Sequence, residues 1–230
     1  MVKSDSKIIG FLQGSIKLVD TYGAIKIVFV SLLMLFMSLV AYLAINPSFI
    51  FERYLEYAEQ KHTESFNYRM ESTPYVQSAM RNLVVEEDAM RAFVIEMHNG
   101  KYNSSGLSFN YGSLTYEALN DNVESVMEDY ADFTLDRYSV LTKVWKNGKW
   151  SGSIEELRKI DRRLALKLEA NGAYYLSLTM IYGVKTEIGF VGVTFGQNSN
   201  VDKNRVENIL SKYASKISPF LDGNRAKKKY

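Results

Sequence analysis

Residues 27–45 read IVFVSLLMLFMSLVAYLAI, nineteen positions without a charge, a glycine or a proline, near the start of a 230-residue chain. A helix of this length reaches roughly 28 to 30 Å, which matches the hydrocarbon thickness of a bilayer. A cleaved signal peptide would carry a shorter apolar core, about 7 to 15 residues, followed by a small-residue cleavage site. Here the run is longer, twenty-six residues precede it, and the bulky Phe49, Ile50 and Phe51 follow it. The expectation is a retained membrane span whose inserting side chains are Ile27, Val28, Phe29, Leu32, Leu35, Phe36, Leu39, Val40, Leu43 and Ile45.

Lys26 before the span and Phe49, Phe51 and Tyr54 after it have the character of interfacial anchors. Lys3, Lys7, Lys17 and Lys26 lie on the N-terminal side, against Arg53 and Lys61 within the next twenty residues on the other. Cytoplasmic flanks are enriched in Lys and Arg, so the count favours a cytoplasmic N-terminus. In a bacterial inner membrane the rest of the chain would then be periplasmic.

Charge narrows the choice of partners. The formal charge is +2, residues 1–26 contribute +2 and the tail Arg225, Lys227, Lys228 and Lys229 contributes +4, so the segment between is about −4. A nucleic-acid partner needs a basic face on the folded domain, and this balance offers none. The tail reads as a solvated end, with a lipid-phosphate contact as the alternative. There is no cysteine and there are two histidines, His62 and His98, which argues against thiol chemistry, disulfides and a histidine-rich metal site.

The pattern along the chain gives five segments. In residues 1–26, Ile8, Ile9, Leu12, Ile16 and Val19 share a helical face, an amphipathic arm that lies on the inner leaflet or packs on a neighbour. The span follows at 27–45. Residues 46–89 read as a helical stalk with Pro74 breaking it, the second half carrying Val76, Met80, Leu83 and Val84. Glu86, Glu87 and Asp88 read as its solvated end. Residues 90–222 form the outer domain and 223–230 the basic tail.

Within the domain, 91–97 alternates as a strand with Phe93, Ile95 and Met97 on one face. A turn-rich stretch, 98–106, leads to a strand over 107–114. Residues 117–127 suggest a helix, and 133–144 a weak strand ending in a turn at 146–149. Ser153 and Glu156 make a capping box for a helix carrying Ile154, Leu157, Ile160, Leu164 and Leu168, stopped by Asn171-Gly172. Strands at 174–182 and 187–195 form a hairpin, and Asp202 opens a last helix with Val206, Ile209, Leu210, Tyr213, Ile217 and Phe220 inward. This order is an α+β plan, and it resembles the GAF and PAS family of antiparallel-sheet domains flanked by their terminal helices.

No constellation for proton exchange, nucleophilic attack or metal binding emerges, so no enzymatic activity and no cofactor are expected. His98 ends a strand beside Asn99 and Asn103, which makes this loop a candidate ligand or partner site, with an ordinary polar turn as its bland alternative. Asn103-Ser104-Ser105 matches a glycosylation acceptor, a pattern common by chance. Ser31, Ser38 and Ala41 share one stripe of the span and are candidates for close helix packing, unless the serines bond only their own backbone.

A whole-chain resemblance joins these pieces. The arm IIGFLQGSIKLVDTYGAIK, the single span, the exit SFIFERYLEYAEQ, one α+β domain, and the ending IGFVGVTF with NSNVDKNRVENILSKYASKI are similar to the holins of the T-even coliphages. Those holins carry a pair of cysteines in the outer domain that this chain lacks. The resemblance implies a phage lysis protein that accumulates in the host inner membrane and self-associates. It would then open lesions that release an endolysin, under the control of a periplasmic antiholin. A single span encloses no water path, so any such hole needs many chains. The rival reading is a membrane-anchored sensor or interaction domain that binds a small ligand near His98; the short segment before the span leaves it to signal through a partner. The lytic reading predicts a delayed, abrupt loss of membrane potential on induced expression in a bacterium, abolished by charges placed in the span. Continued growth with intact potential, despite membrane insertion, excludes it.

Overall fold

A computed structural model describes residues 14, 17, 20, 21, 23–46, 48–98, 110–197 and 199–223. The chain divides into two compact units, Met1–His62 and Thr63–Tyr230. In the first, Gly14, Lys17, Asp20 and Thr21 are helical, and helix α1 (Ala24–Ile45) follows, with no buried residue. This one helix among the described residues is long and apolar enough to cross a membrane. The whole of the arm's apolar face (Ile8, Ile9, Leu12, Ile16 and Val19), the basic tail from residue 224, and Asn99 and Asn103 lie outside the described residues.

Helix α2 (Ser48–Glu87) runs unbroken through Pro74, where a break was expected. Proline removes one helical hydrogen bond, a local cost. In the second unit Ser72, Val76, Ala79, Met80 and Leu83 are buried at helical spacing, and this burial offsets that cost. Thr73 Oγ1 also donates to Arg69 O at 2.8 Å.

Six antiparallel strands form one sheet in the order β3-β2-β1-β6-β5-β4. They are β1 (Arg91–His98), β2 (Tyr111–Leu119), β3 (Phe133–Thr134), β4 (Lys149–Ser153), β5 (Tyr175–Tyr182) and β6 (Glu187–Phe195). The helices are α3 (Ser139–Asn147), α4 (Ile154–Ile160), α5 (Arg162–Ala170) and α6 (Lys203–Leu221). β1 lies centrally and buries both faces. Phe93 and Ile95 join a core with residues of α3, α4 and α5, whereas Ala92 and Val94 join a second core with α2 and α6. The α+β plan with a curled antiparallel sheet and flanking helices therefore stands.

Four expectations change. Residues 117–127 are not a helix: β2 continues to Leu119, and the Glu117 carboxylate then ties down the following loop, accepting from Ser125 Oγ at 2.5 Å and Val126 N at 3.3 Å. Residues 133–144 hold only a two-residue strand before α3, whose Val140, Leu141 and Val144 are buried at helical spacing. The turn at 146–149 falls at Gly148, whose φ of 80° closes α3, but it leads into an edge strand, β4, that was not expected. The single helix from Ile154 splits at Asp161, because its buried carboxylate caps α5 by accepting from Leu164 N at 2.9 Å.

One close approach demands glycine. A Cβ on Gly192 would overlap Phe93 Cζ and sit 2.7 Å from Leu178 Cδ2, so β6 passes bare beneath the Phe93 ring.

The end of α2 is tied to α6 rather than left in solvent. Arg205 pairs with Glu87 at 3.0 Å, and the Glu87 side chain is only 3% exposed. Tyr213 Oη donates to Glu86 at 2.8 Å. Burial and then the Glu86 carboxylate push the Tyr213 phenol up to about 12. The folded state thus keeps a proton that the unfolded chain loses near its ordinary value of 10.0. The sign is fixed: stability is fully present below about pH 10 and falls as pH rises toward 12. Tyr213→Phe should flatten part of that fall and cost about 0.5–1.5 kcal/mol at pH 7, measured by urea unfolding across pH 7 to 12.

Candidate functional site

A charged residue opens β1, one of the two central strands of the sheet. Arg91 is 2% exposed and lies on the same face of β1 as Phe93 and Ile95. A bulge between Val94 and Ile95 shifts the register with β2, so that Leu114 and Glu117 both meet this face while Tyr116 and Ala118 turn to the other. Arg91 Nε and Glu117 Oε1 are 2.8 Å apart, with side chains 2% and 3% exposed. Arg91 Nη2 donates to Glu124 O at 2.7 Å. The ion pair lacks an aligned hydrogen bond, so Nε and Nη1 have no hydrogen-bond acceptor.

Beside this pair is a cavity of about 40 Å³ between the sheet and α3 and α5, lined by Arg91, Thr194, Tyr130, Tyr138 and apolar side chains including Phe93 and Phe133. Arg91 and Thr194 are cross-strand partners in the β1–β6 ladder. Tyr130, Phe133 and Tyr138 form a ring cluster with centroids 5.2 to 6.4 Å apart. The hydroxyls of Tyr130, Tyr138 and Thr194 are buried without a hydrogen-bond partner. Burial, and then the neighbouring Tyr138, drives the Tyr130 phenol well above its ordinary range, while Arg91 pulls the other way. Burial likewise raises Tyr138, with Arg137 opposing. Both phenols therefore remain protonated donors at neutral pH.

The residues singled out in the sequence lie elsewhere. His98 ends β1 with its ring stacked on Tyr111 at 6.0 Å. Its Nε2 is 3.0 Å from Ser113 Oγ and 3.2 Å from Asp132 Oδ1, and Ser113 Oγ donates to Asp132 Oδ1 at 3.0 Å. A nucleophilic triad would place the carboxylate on the other ring nitrogen, so this is a polar surface cluster rather than a relay. Ser38 Oγ donates to Met34 O at 2.7 Å and Leu35 O at 3.1 Å, within its own helix. Ser31, Ala41, Lys26, Phe51 and Tyr54 are exposed, and Phe49 lies in α2 with its side chain outside the description. Arg91 was passed over because it stands in the apolar run RAFVIEM. Its burial depends on β1 being central, and a charge inside an apolar strand was the available signal.

Among solved structures, the fold is similar to three light-sensing domains. A red/green cyanobacteriochrome in its red-light-absorbing state aligns with a TM-score of 0.50 at 7% identity, covering 69% of this chain and 96% of that one. A GAF domain of Synechocystis in its photoproduct state gives 0.47 at 11%, covering 64% and 90%. The blue-light-absorbing PixJ GAF domain of Thermosynechococcus elongatus gives 0.47 at 10%, covering 69% and 91%. No family model and no curated protein matches the sequence. The domain has a GAF-like fold.

The buried pair sets a quantitative expectation. Glu117→Leu strands the Arg91 charge and should cost about 3–5 kcal/mol, whereas Arg91→Met combined with Glu117→Leu should recover most of that loss, measured by urea unfolding of the three proteins.

Proposed function

We propose that this protein is a membrane-tethered GAF-like sensory domain that takes a compact ligand into the cavity beside Arg91. One observation carries the reading. Arg91, Tyr130, Tyr138 and Thr194 line a single cavity whose open surface is apolar, and behind that surface Arg91 Nη1 and the three hydroxyls are buried with no hydrogen-bond partner. Buried polar groups are almost always satisfied, and each one left bare costs about 1–3 kcal/mol. A guest that accepts hydrogen bonds would complete the set by drawing these side chains round to face the cavity.

Size and charge restrict that guest. The cavity of about 40 Å³ is far below the roughly 300–1,000 Å³ of pockets for drug-sized molecules. The bilins named for several of the structural neighbours do not fit it. The fitting class is a molecule of a few heavy atoms with accepting oxygens, of which formate, acetate and nitrate are examples. Tethering by α1 would hold the domain at a bilayer surface, with a partner carrying the signal onward. The lytic reading rests on the arm, span and end segments of the sequence, has no matching relative, and is decided separately by the expression experiment.

The test is thermal unfolding of the full chain in lipid nanodiscs, titrated with sodium formate, acetate and nitrate at constant ionic strength. A ligand at a hundredfold excess over its Kd stabilises by about 2.7 kcal/mol, roughly 5 to 10 °C at this chain length. The rise should saturate for at least one of the three and vanish in Tyr130→Phe/Tyr138→Phe. No saturable rise, together with a doubly substituted protein more stable than the parent, would mean that bare hydroxyls are simply a burden on the core and would sink the reading.

A further inference from the structure

Every residue that lines the core cavity is buried, so a guest enters only if part of the wall moves. The walls are held unequally. The sheet side is tied by the β1–β2, β1–β6 and β5–β6 ladders, and α3 and α5 cover the other side through Leu141, Leu164 and Leu168. Val126 and Tyr130 come instead from residues 120–132, which join β2 to β3 with no regular structure beyond the 3-10 turn Glu128–Tyr130. These two are the only buried residues of that segment. A segment with so few buried side chains opens at lower cost than the strands and helices around it.

The segment is pinned at both ends. Asn120 N donates to Met90 O at 3.0 Å. At the far end Asp132 N donates to Ser113 Oγ at 3.0 Å, and the Asp132 carboxylate lies 3.2 Å from His98 Nε2. The backbone is left-handed at Asn122 (φ 63°) and Asp132 (φ 46°), a conformation that Asn and Asp tolerate better than other side-chain-bearing residues. The chain therefore turns sharply at two fixed points with a flap between them.

One pair of side chains holds the middle of that flap to the sheet. Glu124 O accepts from Arg91 Nη2 at 2.7 Å, and the Glu117 carboxylate accepts from Ser125 Oγ at 2.5 Å and from Val126 N at 3.3 Å. All three bonds fall on Val126 or the two residues before it, so the buried ion pair fastens the cavity wall from behind. From α5, Lys167 reaches the flap across the surface, its Nζ 3.4 Å from Asp129 O and 4.6 Å from the centre of the Tyr130 ring.

We propose that residues 123–131 are the gate of the cavity, latched by the Arg91–Glu117 pair and hinged at Asn122 and Asp132. Release of Glu124, Ser125 and Val126 from the latch swings Val126 and Tyr130 aside and admits the guest. That the gate serves ligand entry rests on the cavity reading above, but its opening is measured without any guest.

The chain has no cysteine, so a single introduced thiol reports its own exposure. Val126→Cys places the thiol on the gate, whereas Thr194→Cys and Leu178→Cys place it on the sheet side of the same cavity. Each full-length protein, in lipid nanodiscs, is labelled with iodoacetamide under native conditions, and its global stability is measured by urea unfolding. After correction for global stability, the gate thiol should react at least about tenfold faster than either sheet thiol. Ser125→Ala removes one latch bond at an exposed position, and should speed the gate thiol about tenfold while leaving the sheet thiols within about twofold. Equal rates at the three positions, or equal acceleration of all three by Ser125→Ala, overturn the proposal, because the wall then opens only when the whole domain unfolds. The two readings fail separately. A fast gate thiol without a saturable thermal rise keeps the gate and removes the ligand, whereas a saturable rise with equal thiol rates places entry elsewhere and removes the gate.

Discussion

A guanidinium and a carboxylate are buried together at the centre of this domain, and much of the structure around them follows from that. Arg91 and Glu117 are drawn from adjacent strands onto one face of the sheet by the bulge between Val94 and Ile95. Removing two charges from water costs more than the pair regains unless their remaining hydrogen-bonding capacity is met. The loop after β2 meets part of it through Glu124 O, Ser125 Oγ and Val126 N. The unmet part, Arg91 Nε and Nη1, is buried beside a cavity whose other lining residues include Tyr130, Tyr138 and Thr194, with three hydroxyls in the same state. The course of that loop thus follows from one charge pair.

The two faces of the sheet serve different ends. On the first, α3 and α5 close over the cavity, and the Tyr130, Phe133 and Tyr138 rings wall it in to about 40 Å³. On the second, α2 and α6 are locked to each other by Glu86, Glu87, Arg205 and Tyr213, by the Tyr75–Phe220 stack at 5.0 Å, and by the Tyr68 hydroxyl donating to Pro219 O. That packing is large where α2 contributes Met80 and Leu83, and sparse toward β4, where Ser211, Ser215 and Ser218 of α6 leave an open groove. One helix therefore seals the core at some positions and leaves surface open at others, the difference being side-chain volume.

Much of the fold was legible in the residues. The strands β5 and β6, the capping box of Ser153 and Glu156 and the opening of α6 at Asp202 appear where periodicity and turn chemistry placed them. What failed did so for tertiary reasons. Pro74 did not end α2, because burial of its flanks outweighs one missing hydrogen bond. Asp161 divided a helix that reads as continuous, because its carboxylate is a buried cap. Residues 117–119 continue β2 instead of starting a helix, because they pair with β1, and the bulge then assigns Leu114 to one core and Tyr116 and Ala118 to the other.

The sequence by itself determined the local features: an uncharged nineteen-residue helix, an α+β order of elements, and the strands and caps that nearest neighbours in the chain specify. These depend on spacing and propensity, which are properties of short segments. Only the tertiary structure decided which polar groups are out of reach of water. Burial belongs to positions far apart in sequence, as Arg91 beside Glu117 and Thr194, and the cost of an unpartnered hydrogen bond exists only once those positions meet.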